Sequence, residues 1–158
     1  MRIRQTHNAE LIQSIVTHEA IWPHVSDDAC DKATYKPSMD GCMWLEVVDC
    51  DCLGVYLIHR HNAVTYEIHT CLLPAAWGNK SKKAGKLVLD WIFQNTPCQK
   101  VITQVPEDNS LALRYAIRCG MVQEGVNRAS FLKNGKLLDM TQLGITKKEH
   151  TCQQQPQL

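Results

Sequence analysis

Apolar residues along the chain follow two spacings, and each spacing predicts a different kind of element. Alternating or continuous apolar runs predict strands over 2–5, 43–48, 53–59, 64–73, 100–105, 126–133 and 136–144. Apolar residues three and four apart predict three helices, from a cap at Asn8 to a stop at Pro23, over 80–95, and from a cap at Asp108 or Asn109 to Cys119.

One turn signal and the composition of the C-terminal segment add a hairpin and a tail to the predicted elements. Asn134 and Gly135 join the last two strands, and this dipeptide is the strongest short-range signal for a β-hairpin. No repeat or linker interrupts the pattern, which therefore predicts one α+β domain over 1–147. The remaining segment, 148–158, has few apolar residues and is expected to be a disordered tail.

Composition narrows the class of protein. The 158 residues carry a formal net charge of +1, whereas a general nucleic-acid binder would show a basic face. No apolar run approaches the ~20 residues that span a bilayer, and the first residues lack the apolar core of a signal peptide. We therefore expect a cytoplasmic protein, a monomer or homodimer, with no nucleic-acid or membrane partner. Its eight cysteines are expected to be reduced.

The stretch AAWGNKSKKAG, residues 75–85, lies where a predicted strand leads into a helix. A helix N-terminus offers free N–H groups and the positive end of the helix dipole, and both attract phosphates. Lys80, Lys82 and Lys83 would strengthen that attraction. A solvated first turn of the helix would explain the same residues.

The order of elements and three motifs resemble the GCN5-related N-acetyltransferases (GNAT). The motifs are LLPAAWGNKSKKAG, NSLALRYAIRCGMVQEGVNR and KNGKLLDMTQLGI, and they are most similar to the branch that acetylates the N-termini of ribosomal proteins. The resemblance covers residues 1–147. It implies an α+β fold with a mixed central sheet of about seven strands, flanked by helices and splayed after the fourth strand.

The resemblance also implies acetyl-coenzyme A as co-substrate. The residues expected to bind it are Cys71, Leu72 and Leu73 at the splay, Gly78, Asn79, Lys80, Ser81, Lys82 and Lys83 around the pyrophosphate, and Asn109 as a helix cap that contacts the pantetheine arm. Lys80 and Lys82 stand where the family has small residues. They indicate either an altered phosphate cradle or a cofactor affinity that has decayed.

Acetyl transfer to an amine needs a proton acceptor, a stabilised oxyanion and a proton for the leaving thiolate. Glu67 stands where the histone-modifying branch has its glutamate base, and His69 shares its strand face. Both would otherwise lie on a solvated sheet face. Tyr115 is the candidate acid, although the family tyrosine position falls one residue later; it would otherwise be a core aromatic. A main-chain N–H near residues 71–73 is expected to bind the oxyanion.

A zinc site is an alternative because Cys50/Cys52, His59/His61 and His69/Cys71 form three closely spaced pairs. Strand pairing brings together only three thiols without a fourth ligand, whereas structural zinc prefers four. The cysteines are therefore expected to be buried thiols, and no metal is expected.

The leading expectation is an N-acetyltransferase that acts on a primary amine, either a peptide N-terminus or a small molecule. Acidic residues of the 26–40 loop could attract a cationic acceptor. The alternatives are a non-catalytic binding protein with a degenerate cofactor loop and a zinc-stabilised interaction module.

Overall fold

The structure is a computed structural model that describes residues 1–154. Its strands and helices, in chain order, are β1 (Arg2–Gln5), α1 (Ala9–Val16), α2 (Trp22–Val25), β2 (Cys42–Asp49), β3 (Asp51–Arg60), β4 (Thr65–Leu72), α3 (Asn79–Asn95), β5 (Lys100–Pro106), α4 (Ser110–Arg118), β6 (Val122–Lys133), β7 (Lys136–Thr146) and α5 (Lys147–Gln154). No helix in this range is long and apolar enough to cross a bilayer.

The seven strands form one mixed sheet in the order β1-β2-β3-β4-β5-β7-β6. Every neighbouring pair is antiparallel except β4 and β5. These two parallel strands pair over only three residues each, and the pairing ends at Glu67 and Ile102. Beyond that point they part. The prediction of an α+β fold, with a seven-stranded mixed sheet splayed after the fourth strand, is confirmed.

The two faces of the sheet bury different cores. Period-two alternation places Tyr56 of β3 and Ile68 of β4 on one face, in the larger core, which includes the apolar residues of α3. Val55 and Cys71 lie on the other face, in a smaller core with α1. From Val55 onward, odd-numbered residues of β3 and β4 therefore share the α1 face, and this parity decides which candidate residues meet.

The predicted helix caps are present. The side chain of Asn8 accepts a hydrogen bond from the Leu11 N–H at 3.0 Å, and that of Asn109 accepts one from the Ala112 N–H at 3.1 Å. Gly120 follows α4 with φ 95°, as a helix-ending residue in a conformation that glycine favours.

The prediction that the first helix runs to Pro23 is wrong. Helix α1 ends at Val16, and Pro23 lies in the first turn of a separate short helix, α2. Proline is tolerated there because the first N–H groups of a helix have no partner within the helix. Strand β6 also begins at Val122, four residues earlier than predicted.

The expected disorder from residue 148 onward is wrong for 148–154, which belong to α5; residues 155–158 lie outside the described residues. The helix starts with a capping box: the Glu149 carboxylate accepts from the Thr146 N–H at 2.8 Å, and the Glu149 N–H donates back to the Thr146 hydroxyl at 3.2 Å. His150 is buried, with Nε2 2.7 Å from a carboxylate oxygen of Asp90 on α3. Its ring also packs on Phe93.

Replacing His150 with alanine should lower the free energy of unfolding by about 1–3 kcal/mol, because Phe93 loses the ring packed on it and the partly buried Asp90 carboxylate keeps only Gln154 as a side-chain hydrogen-bond partner. Urea titration followed by circular dichroism would measure the change. Lys148→Ala, on the exposed side of the same helix, is the matched control and should change stability little. Equal stability of the His150→Ala variant and the parent would show that α5 does not dock as described.

Candidate active site

A cavity of about 400 Å³ opens between β4 and β5 beyond their last paired residues. Residues 68–71 of β4 and 103–106 of β5 line it, together with the facing sides of α3 and α4. Most of the lining side chains are apolar or aromatic. A concave, largely apolar cleft with a few polar groups is the usual form of a small-molecule site.

The backbone of β4 presents N–H groups to this cleft. Leu73 donates its N–H to a β3 carbonyl at 2.9 Å, whereas the carbonyl of Ile68 accepts from a β5 hydroxyl at 2.9 Å. Because strand N–H groups alternate in direction, those of Thr70 and Leu72 face β5, and that of Cys71 faces β3. Of the three residues expected to supply an oxyanion contact, Leu72 therefore directs its N–H to the β5 side, as does the cavity-lining Thr70. Cys71 and Leu73 do not, because their N–H groups face β3.

The N-terminus of α3 is open. Gly78 precedes the helix with φ 82°, which an L side chain rarely adopts, and no side chain of the described residues caps the first turn. Ser81 donates its hydroxyl to the Gly78 carbonyl at 2.8 Å and leaves the first-turn N–H groups unbonded by its side chain. Asn79, Lys82 and Lys83 border a shallow depression beside this end of the helix.

Lys80 and Lys82, which were expected to stand in place of small residues, point in different directions. The Lys80 ammonium lies 3.5 Å from a carboxylate oxygen of Asp49, at the end of β2, and so points away from the cleft. Lys82 lies three and seven residues before Gly85 and Leu89, which line the cavity, and therefore shares their helix face. Lys82 lies on the cavity side, whereas the Lys80 ammonium pairs with Asp49, and the role of the two lysines in place of small residues stays a prediction.

Tyr115 lies inside the cavity wall. Its hydroxyl oxygen is 2.6 Å from that of Tyr56, and burial raises the pKa of both phenols. Both therefore stay protonated at neutral pH. Ala116, at the family tyrosine position, is buried beside them. Asn109, the cap of α4, lines the same cavity, so two of the sequence-predicted side chains reach it from α4 and its cap.

Glu67 and His69 lie on the α1 face, as their parity requires, and two further histidines join them. A carboxylate oxygen of the buried Glu67 lies 2.6 Å from His61 Nε2 and 3.6 Å from His59 Nε2. The Nε2 atoms of His59 and His69 are 2.9 Å apart, and His69 lines the cavity. Desolvation lowers the pKa of His69, and the Glu67 carboxylate opposes that shift.

Sequence reasoning missed His59 and His61 as partners of Glu67, although a signal existed. A tight turn at His61 and Asn62 predicts antiparallel pairing of β3 and β4, and in the structure His59 pairs with Glu67. Residues opposite one another in such a pair project on the same face.

The sequence matches a protein-family model over residues 3–155. The model is described as "Protein of unknown function (DUF2824)". The chain belongs to this family. No curated protein matches the sequence significantly.

Solved structures with the same fold include a spermidine N-acetyltransferase from Vibrio cholerae in complex with CoA and spermine. It is 17% identical, with a TM-score of 0.79, over 94% of this chain and 96% of that one. A point mutant of the spermidine N-acetyltransferase SpeG from the same organism is 15% identical, with a TM-score of 0.79, over 98% and 100% of the two chains. The GNAT fold is thereby shown. These neighbours do not support the assignment to the ribosomal-protein branch.

Replacing Gly85 with alanine tests the contact between α3 and α4. A Cβ at this position would lie 2.6 Å from the Tyr115 hydroxyl and would also collide with Cys119 Sγ. Alanine is ordinarily the better helix former by ~1 kcal/mol, but this overlap should outweigh that gain and lower stability by about 1–3 kcal/mol. Chemical denaturation would measure it. Gly125→Ala, where a Cβ meets nothing within 4 Å, is the control; a stabilised Gly85→Ala variant would contradict the close packing.

Proposed function

We propose that the protein is an acetyl-coenzyme A-dependent N-acetyltransferase that acts on a primary amine. One observation carries the proposal: the unpaired β4 edge, the open N-terminus of α3 and the cavity all adjoin where β4 parts from β5. These are the groups that a thioester carbonyl, a pyrophosphate and an acyl acceptor would need. Support also comes from the fold shared with a structural neighbour solved with CoA.

The pyrophosphate would lie over residues 78–83. Free N–H groups of the first turn of α3 and the ammonium of Lys82 would contact it, because both favour negative charge. The pantetheine arm would then extend along the unpaired edge of β4, where its amide groups could bond the strand backbone. Asn109 lines the opposite side of that path.

The chain supplies a group for each chemical need. The amine nitrogen would bond to the carbonyl carbon, whose oxygen would accept the Leu72 N–H, and the carbon–sulfur bond would break. His69 would receive the amine proton, since it lines the cavity and contacts Glu67 behind it. The leaving thiolate would take a proton from the hydroxyl of Tyr115, which is protonated at neutral pH.

The cavity favours an acceptor with an apolar body. No carboxylate is found among the described residues that line it, whereas Tyr35, Trp44 and Phe131 are. Of the acidic loop residues considered for binding a cationic amine, Asp28 instead accepts from the N–H groups of Asn134 and Gly135, at 2.7 Å each. A second ammonium of a polyamine would therefore find no counter-charge inside the cleft.

Lys82→Ala should weaken acetyl-coenzyme A binding about fivefold at low salt, or ~1 kcal/mol, a usual size for one partly exposed ion pair. Lys80→Ala is the matched control and should change the dissociation constant little, because Lys80 contacts Asp49. Isothermal titration would measure both, and the difference should shrink in high salt. Equal effects of the two substitutions would contradict the proposed position of the pyrophosphate.

An acceptor panel tests the activity itself. With acetyl-coenzyme A present, an aromatic monoamine or a peptide with an apolar first residue should be acetylated with kcat/KM at least about tenfold above that of spermidine, because burying an unpaired ammonium is costly. Thiol release and the mass of the product would report the reaction. A preference for spermidine would contradict the apolar acceptor, and failure to bind acetyl-coenzyme A would instead favour a non-catalytic binding protein.

A further inference from the structure

We propose that His59, His61 and Glu67 bind one divalent transition-metal ion, zinc in the first place, with His69 as the fourth ligand. The first three offer ligand atoms that all lie within 4.8 Å of one another, and they form the one group of this kind found in residues 1–154. The site does not depend on the proposed acetyltransferase activity. It rests on the geometry of four side chains.

Distances within the cluster bring three ligand atoms together, with the imidazole of His69 close by. Ligands about 2.0–2.1 Å from a tetrahedral zinc ion lie about 3.3 Å from one another. Glu67 Oε2 is 2.6 Å from His61 Nε2 and 3.6 Å from His59 Nε2, and Glu67 Oε1 is 3.7 Å from His69 Nε2. The His59 and His69 Nε2 atoms are 2.9 Å apart. His59, His61 and Glu67 offer ligand atoms within 4.8 Å of one another, whereas His69 lies outside that group, so its imidazole would have to turn toward the ion to become the fourth ligand.

The charges of the cluster also favour a cation. Three imidazole nitrogens converge on one carboxylate, and lone pairs that face each other repel unless a proton or a metal ion lies between them. Glu67 is buried, with only 7% of its side chain exposed, so water compensates its charge poorly. A divalent ion would satisfy all four groups at once. The histidine side chains are each about 40% exposed, which leaves a path for the ion to enter.

The donor set selects the class of metal. Imidazole nitrogen suits zinc, copper, iron and nickel, whereas magnesium and calcium prefer oxygen ligands. A set of three imidazoles and one carboxylate therefore points to a borderline transition metal. Zinc has no ligand-field preference and accepts a distorted tetrahedron, and cobalt can replace it as a coloured probe.

Metal-free protein titrated with zinc should bind one equivalent. The same protein with cobalt should develop the intense visible absorption of four-coordinate cobalt, without a thiolate charge-transfer band. The double variant His59→Ala/His61→Ala should weaken binding of both ions by more than about 100-fold, because loss of even an outer-shell partner costs about 10- to 100-fold. The matched control is His7→Ala/His24→Ala, which removes two histidines outside the cluster and should keep parental affinity.

Two further variants keep the test decisive. Glu67→Gln preserves the shape of the carboxylate and should also lose cobalt absorption, so the site can be judged even where the double variant fails to fold. Cys50→Ser/Cys52→Ser should retain the spectrum, because these thiols lie outside the cluster. The proposal is overturned if the parent binds no zinc, if binding survives loss of His59 and His61, or if cobalt shows thiolate bands.

Discussion

The parting of β4 from β5 after the Glu67–Ile102 pair is the constraint on which the site depends. A strand inside a sheet normally satisfies its N–H groups on both sides, but beyond this pair the β5 side of β4 has no partner strand. Buried backbone donors without acceptors are costly, and the N–H group of Thr70, which faces the β5 side, belongs to a residue that lines the open cleft. The same parting gives the cleft its room and leads the chain directly into the open end of α3.

Local chemistry made most of the fold predictable. Asn8 and Asn109 cap their helices, and Asn134 and Gly135 take positive φ in the hairpin, because each of these positions needs a particular side chain or backbone freedom. The terminal helix was missed even though Thr146 and Glu149 have the spacing of a capping box. Low apolar content predicted disorder there, whereas the helix docks through the buried His150 and through hydrogen bonds that Lys147 donates to the Phe93 carbonyl and Gln153 to the Gly120 carbonyl.

The candidate site was less predictable because it depends on the register of strand pairing and on the direction in which each side chain projects. Because strand side chains alternate between the two faces of a sheet, Glu67 and His69 were placed on one face. Only the pairing of His59 with Glu67 shows that further imidazoles reach the same carboxylate. Likewise, the resemblance to the acetyltransferases implied that Lys80 and Lys82 stand in place of small residues. The ion pair between Lys80 and Asp49 separates their roles, and it joins elements 31 residues apart in the chain.

The backbone N–H groups and the side chains of β4 point in different directions, so they contribute to different parts of the site. The N–H groups of Thr70 and Leu72 point within the plane of the sheet, toward the cleft, whereas the side chains of Glu67 and His69 project from its α1 face. A metal ion on that face would leave the backbone donors unchanged. It would, however, occupy the lone pairs that could receive a proton from an amine. The proposed metal and the proposed proton transfer therefore compete at His69, while the edge of β4 remains available to a thioester in either state. Since linkage between two ligands arises only where they share groups or conformations, the coupling between metal and acetyl group would act on the transfer step rather than on cofactor binding.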